Sequence, residues 1–330
     1  MSNAPAESEP LISVLRLLAD GEFHSGEELG ALLGVSRAAV WKTLKKFESL
    51  GVRVLSVKGR GYCVVGGLDL LDSVVIQKQY LNKLDVKVFT QLDSTNSYLL
   101  RQDNADRQVC LAEAQTAGRG RRGRGWVSPF AQNLYLSMGW RFDGGLASIE
   151  GLSLAVGVIV VRALEIYGFK NLALKWPNDI LYRDKKLGGI LIEVNGDPLG
   201  DCLCVIGIGL NVSMCRASCD LIEQPWTSLK EISIEQGVPL ISRNQIVFSL
   251  LDNLLSALST YQRDGFRAYR ASWIMAAAYI NEQINIHAAN GTQTGVLRGV
   301  DSSGALLVDV EGCEKVFHGG EVSVRFSNVS

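Results

Sequence analysis

Apolar positions change their spacing along the chain, and each change marks a new kind of structure. Near the start they recur at helical intervals: Leu11, Val14, Leu15 and Leu18 share one face before Asp20-Gly21 stops the pattern. Ser25 followed by Glu28 predicts a capping box, in which each side chain satisfies a backbone N–H left over at a helix start. The second helix then runs through Leu29, Leu32 and Leu33. Gly34 suits the left-handed residue that ends it, and Ser36 suits the cap of the next, leaving a turn of Gly34, Val35 and Ser36. In the third helix Val40, Leu44 and Phe47 form the buried face, so Arg37, Trp41, Lys42 and Lys45 lie off it. The stretch VRVLSVKGRGYCVV alternates like a hairpin with Lys58, Gly59, Arg60 and Gly61 at its tip. Capped helix, tight turn, basic helix and basic hairpin together predict a winged helix-turn-helix whose third helix enters a major groove.

After Gly66-Gly67 the pattern alternates between strands and helices. VKVFTQL, VCLAEAQ, NLYLSMGW, NLALKW, LGGILIEV and CLCVIGIGLNV read as strands, with helices starting at Ser94 and covering residues 150 to 166. From about residue 276 the strands shorten to INIHA, TGVLRGV, ALLVDV, EKVFHGG and EVSVRF. Turns at Asn290-Gly291, Ser302-Ser303-Gly304 and Glu311-Gly312 space them as in a small barrel. The expected fold class is α+β in three domains: a winged helix-turn-helix over 1–67, a mixed-sheet α/β domain over 68–275 and a small β-barrel over 276–330.

Composition narrows the class further. With 47% hydrophobic and 20% charged residues the chain is globular rather than disordered. The longest apolar run, residues 151 to 161, ends at Arg162 and falls short of the roughly 20 residues that span a bilayer. MSNAPAESEP lacks the basic start and apolar stretch of a secretory signal, so it reads as a mobile tail of a cytoplasmic protein with no membrane partner. The seven cysteines are odd in number and form no CxxC pair, which favours reduced thiols. A metal cluster of Cys202, Cys204, Cys215 and Cys219 is disfavoured because the first two sit in an apolar run. Net charge is −1, yet residues 36 to 61 carry seven basic side chains against Glu48, a local excess of six that suits a polyanion.

Residues 118 to 126, GRGRRGRGW, contain GxGxxG. A dinucleotide loop opens a helix onto a pyrophosphate, but Val127-Ser128-Pro129 is extended or turning, and four arginines are foreign to that motif. A flexible cationic cover over a phosphate-bearing intermediate explains the loop better.

DSTN (93–96), AEAQTAGRGRRGRGW (112–126), NLYLS (133–137), KWPND (175–179), KKLGGIL (185–191) and GIGLN (207–211) stand in the order and spacing of bacterial biotin protein ligases. With the N-terminal domain, nearly the whole chain resembles the bifunctional members that also repress the biotin biosynthesis operon. The resemblance implies a catalytic domain like that of class II synthetases and an SH3-like C-terminal domain. It implies a two-step reaction in which biotin and ATP, with Mg²⁺, give biotinyl-5′-AMP. A lysine of the biotin carboxyl carrier protein of acetyl-CoA carboxylase then displaces AMP. It also implies operator DNA of biotin biosynthesis genes as partner, and a homodimer when biotinyl-5′-AMP is bound.

Position by position, the resemblance places Ser94, Thr95, Asn96 and Gln115 at the biotin ureido head, and Arg119, Gly120 and Arg121 in the loop that folds over the ligand. Read alone, Ser94 is a plain helix cap. Lys186 matches the lysine at the biotin carboxylate and α-phosphate, with Lys175 assisting. Asn178 and Asn211 fall near the nucleotide together with Arg121. Asp179 orients Mg²⁺ or a lysine, or merely stabilises the turn after Pro177. Ser36, Arg37, Trp41, Lys42, Lys45, Lys58 and Arg60 make the DNA-facing set. Two rivals remain at this level: a repressor that has lost catalysis, and a lipoate or octanoate transferase of the same architecture.

Overall fold

The computed structural model describes residues 9–197, 200–215, 222–288, 291–319 and 323–326. The N-terminal tail up to residue 8, Cys219 and the Asn290 turn position lie outside them, as does the side chain of Arg37.

Helices α1 (Glu9–Leu18), α2 (Gly26–Leu33) and α3 (Arg37–Ser49) precede the hairpin of β1 (Val54–Val57) and β2 (Gly61–Val64). Gly34 adopts the left-handed conformation at φ 62°, and Ser36 caps α3, so the turn between the helices is the three residues expected. Val14, Leu18, Leu29, Val40 and Phe47 are fully buried and form the domain's own core. The box at the start of α2 is only half made. Ser25 Oγ accepts from Glu28 N–H, but the Glu28 carboxylate turns to His24 Nδ1 at 3.1 Å.

The centre is a seven-stranded sheet in the order β3-β4-β5-β9-β8-β7-β6. Its strands are β3 (Asp85–Leu92), β4 (Gln108–Gln115), β5 (Asn133–Phe142), β6 (Leu172–Lys175), β7 (Asp179–Tyr182), β8 (Lys185–Gly196) and β9 (Cys202–Asn211). Only β3 and β4 run parallel; every other neighbour is antiparallel. The near-continuous apolar runs of β5 and β9 follow from burial on both faces. On one face lie α6 (Leu152–Glu165) and the 22-residue α8 (Arg243–Asp264), whose Leu250, Leu251 and Leu254 join the main core. Residues 145–165 are long and apolar enough to cross a membrane by composition, but here Leu152, Val156, Val160 and Leu164 are buried in that core. The opposite face carries α5 (Thr95–Leu100), packed through Leu99 on Cys110 and Val205. Short helices α4 (Ser73–Gln79), α7 (Leu229–Gln236) and α9 (Arg270–Ala276) join the main core with α6 and α8 through Ile76, Ile232 and Trp273.

The last segment is a five-stranded antiparallel sheet, ordered β13-β12-β11-β10-β14, of β10 (Gln283–Ala288), β11 (Gly291–Val300), β12 (Leu306–Val310), β13 (Cys313–Phe317) and β14 (Ser323–Phe326). It docks on the centre where Trp176 Nε1 donates to the Gly304 carbonyl at 3.0 Å. At the other junction, the buried Arg243 guanidinium meets Glu113 at 2.6 Å and donates to the Asp69 carbonyl from Nε at 2.7 Å. Glu113 in turn accepts from Leu71 N–H at 2.7 Å, so the connection after the wing is fastened to the central sheet.

Candidate functional site

A cavity of about 700 Å³, partly open to solvent, lies over β8 and β9 at the start of α5. Glycines on the two strands make the room. A methyl on Gly207 would stand 2.2 Å from Asn96 Oδ1, and one on Gly209 would stand 2.6 Å from the Trp126 ring.

The start of α5 supplies a polar wall. Ser94 caps the helix through Ser97 N–H. Gln115 Oε1 accepts from Thr95 N–H at 2.8 Å, while its Nε2 donates to Ser128 Oγ at 2.9 Å. Ser137 Oγ lies 2.7 Å from Thr95 Oγ1 and 2.5 Å from Asn96 Oδ1. The wall is thus a connected set of donors and acceptors, which is what a buried polar ligand head requires.

The arginine segment makes a closed turn over this wall rather than an open loop. Gly120 N–H donates to the Arg124 carbonyl at 2.7 Å, Trp126 N–H donates to the Gly118 carbonyl at 2.8 Å, and Arg122 takes φ 56°. Residues 121–123 form a single 3₁₀ turn that opens no helix, so the dinucleotide reading fails on geometry as well. Arg119 pairs with Glu193 at 2.8 Å. Arg121 reaches Asn178 Oδ1 at 3.4 Å and the Gly319 carbonyl. Burial, followed by the like charges of Arg122 and Arg124, lowers the Arg121 pKa below the ordinary guanidinium value, with Asp179 opposing.

Lys186 sits at the far end of the cavity, 14% exposed, with Nζ 2.7 Å from Asp179 Oδ1 and 5.4 Å from the centre of the Trp126 ring. Its backbone pairs with the segment that carries Trp226, through Thr227 N–H to the Lys186 carbonyl at 3.0 Å. Beyond Trp126 and Lys186 a second open cavity continues, lined by Asn211, Gln224 and Trp226.

Ser94, Thr95, Asn96, Gln115, Arg119, Gly120, Arg121, Asn178 and Lys186 therefore line one cavity. Asp179 meets it through Lys186. Asn211 lines the second cavity, but its amide NH₂ is spent on the Lys186 and Thr227 carbonyls. Lys175 ends β6 opposite Asp179 and is not part of either lining. Sequence reasoning missed Ser137 and Glu193. Their signal was a polar side chain interrupting an apolar run within a strand. No three His, Cys, Asp or Glu side chains converge as a metal site among the described residues.

On the N-terminal domain, Trp41 is 55% exposed on α3 with Lys45 Nζ 5.3 Å above its ring. Lys42 and Lys58 are exposed, and the Arg60 guanidinium stacks on Phe23 at 4.1 Å, which fixes the wing tip against the start of α2.

Comparison with known proteins decides the family. The model of the biotin/lipoate A/B protein ligase family matches residues 88–211, a helix-turn-helix domain model matches 11–63, and the biotin protein ligase C-terminal domain model matches 279–325. The chain is 40% identical to the bifunctional ligase/repressor BirA of Salmonella typhimurium over 316 residues, covering 95% of this chain and 97% of that protein. The chain belongs to the bifunctional biotin protein ligases. The BirA of Escherichia coli is also 40% identical, over 319 residues and the same shares of both chains. Among solved structures, the biotin protein ligase from Aquifex aeolicus in complex with biotin and ATP matches with TM-score 0.63 and 29% identity, over 74% of this chain and 99% of that one. The matched family model spans biotin and lipoate ligases alike, and the near full-length relatives narrow this ligase to the biotin branch.

Proposed function

We propose that this ligase binds biotin in the cavity above Gly207 and ATP in the adjoining one, and joins them at Lys186. The ligase adenylates biotin, transfers it to a lysine of biotin carboxyl carrier protein, and represses transcription through its helix-turn-helix. The observation that carries the assignment of the site is the position of Lys186, on the boundary of the two cavities with its ammonium held by Asp179.

Ser94, Thr95, Asn96 and Gln115 receive the cyclic urea of biotin, and Arg119, Gly120 and Arg121 cover it. The acid chain then reaches toward Lys186. A biotin carboxylate oxygen bonds to the α-phosphorus of ATP, the bond to the bridging oxygen breaks, and pyrophosphate leaves. Lys186 and Arg121 offset the charge on two approaching anions, a contribution that grows in the transition state. Asn178 steadies Arg121, and Asn211 with Trp226 shapes the nucleotide end. In the second step the acceptor amine attacks the acyl carbon, sheds a proton and expels AMP, while the closed turn keeps water from the mixed anhydride. ATP enters as its magnesium complex. With Asp179 engaged by Lys186, the geometry favours its role as a lysine orienter over that of a metal ligand.

The units that do this are residues 1–67 on DNA, 68–275 in catalysis and 276–330 as the C-terminal domain over Arg121. Two copies form a homodimer when biotinyl-5′-AMP is bound, because one winged helix reads only one half-site of operator DNA from biotin biosynthesis genes. Ser36, Trp41, Lys42, Lys45, Lys58 and Arg60, with Arg37, face that DNA. Incubating the full chain with a carrier domain, biotin and ATP tests the ligase reading by mass spectrometry: one biotinyl group on one lysine supports it. Labelling by lipoate but not by biotin, or no labelling, overturns it.

A further inference from the structure

Glu193 stands between the floor of the biotin cavity and its cover. It is an acidic residue inside the apolar run of β8, 19% exposed, and its two carboxylate oxygens have different partners. Oε1 lies 2.8 Å from Arg119 Nη2 of the cationic turn, and Oε2 accepts from Asn96 Nδ2 at 2.9 Å. Arg119 also reaches Ser97 Oγ from Nη1 at 3.2 Å, so its guanidinium bridges the turn to the start of α5.

This arrangement dictates which way the Asn96 amide points. A carboxylate can only accept, and so can the Leu191 carbonyl that receives the same amide at 3.3 Å. The NH₂ of Asn96 must face these two groups. Its Oδ1 is then left toward the Ser137 hydroxyl and the space that Gly207 keeps open. A hydrogen bond to an ionised acceptor holds that orientation more firmly than a neutral one. Arg119 and Asn96 are both donors, and one anion satisfies both where an apolar residue continuing the strand would satisfy neither.

We propose that Glu193 is a positioning residue for the ligase reaction: it turns the Asn96 amide oxygen toward the N–H groups of the ligand's cyclic urea and, through Arg119, holds the cationic turn closed over the acyl-adenylate. The inference rests on the placement of biotin in this cavity.

Glu193→Gln conserves volume but brings an NH₂ toward Asn96 or Arg119, both donors. In biotin-dependent ATP–pyrophosphate exchange the biotin KM rises about tenfold while kcat changes little, as for a lost hydrogen bond to a charged group. Free adenylate also escapes faster. Arg119→Ala raises escape as well, and raises the biotin KM less than Glu193→Gln does, since Asn96 keeps its carboxylate partner. In the double variant escape is no greater than for Arg119→Ala alone, whereas the raised KM persists, and a merely structural role does not split the readouts in this way. Glu193→Asp keeps the anion on a shorter arm and falls between wild type and Glu193→Gln on both readouts, which carries the test if the glutamine variant fails to fold. Wild-type KM and escape in a folded Glu193 variant, or effects that add on both readouts, overturn the inference. Ser94→Ala in the same assay separates the two levels. If it leaves the biotin KM unchanged, the placement of biotin fails; if it raises KM while Glu193→Gln does not, only the role of Glu193 fails.

Discussion

Lys186 Nζ and Asp179 Oδ1 lie 2.7 Å apart across the adjacent strands β8 and β7, with side chains 14% and 20% exposed. The aspartate fixes an ammonium whose long stem would otherwise sample many rotamers, and the fixed point is the boundary of two cavities. Lys186→Ala is expected to lower biotin-dependent pyrophosphate exchange by about 10²–10³, the usual loss for one preorganised charge contact in a transition state. Stability should fall only modestly, since water can reach Asp179. Exchange near the wild-type rate in the alanine variant contradicts the role.

Arg121 ties the cationic turn to Asn178 and to the Gly319 carbonyl of the C-terminal segment. Arg121→Gly removes both contacts and adds backbone freedom, so closure weakens. Adenylate should still form in part but escape and acylate stray lysines on bystander proteins. Labelling confined to the carrier lysine, with no biotinyl-AMP in the filtrate, contradicts a retaining role for the turn.

Gly207 lies under Asn96, where a methyl would stand 2.2 Å from Oδ1 with no room for the amide to yield on the side held by Glu193. Gly207→Ala should cost about 1–3 kcal/mol in overpacking and weaken biotin binding by at least about tenfold through displacement of Asn96. Isothermal titration with biotin checks it, and wild-type affinity counts against the geometry of the floor.

His24 predicts a pH dependence in the DNA-binding domain. Its Nε2 lies 2.8 Å from Asp20 and its Nδ1 3.1 Å from Glu28, and both contacts are hydrogen bonds only if both nitrogens carry protons. Burial opposes the charge, but the hydrogen bonds and charges of Glu28 and Asp20 outweigh it and raise the pKa above the ordinary 6.5. The stabilisation is therefore complete below the unfolded value and lost as pH rises through the raised folded value. Asp20 runs the other way. Its carboxyl is lowered chiefly by the Glu22 N–H, so its contribution is present above the ordinary carboxylate range and lost as pH falls through the folded value. Amide exchange in α2 should quicken from mildly acidic to alkaline pH, beyond the intrinsic rate, more in wild type than in His24→Gln. Parallel profiles contradict the ion pairs.

Local patterns carried much of this architecture. The winged domain was legible because caps and periodic leucines act within a few residues, as at Gly34 and Ser36. The central strands were legible as apolar runs, but β7 was not, since Asp179 to Tyr182 is short and begins on a charged residue within the KWPND motif. Helix α8 was overlooked although Ser242 and Gln245 make a full capping box there. The Glu28 box failed to a local competitor, because His24, four residues earlier, takes the carboxylate. Motif resemblance brought nine site residues to one cavity, yet Ser137 and Glu193 emerged only with the fold. Their roles depend on partners 41 to 97 residues away.

One measurement bears directly on the claim that a single chain both makes the adenylate and answers to it. Operator binding and sedimentation are followed for the full chain without ligand, with biotin, and with biotin plus ATP. Stepwise tightening and a growing dimer fraction are expected, strongest with biotin plus ATP. Binding should weaken steeply with salt as expected for the basic α3 and wing, and Lys186→Ala should stop at the biotin level. Equal operator affinity in all three states, or full tightening by Lys186→Ala with biotin and ATP, contradicts it.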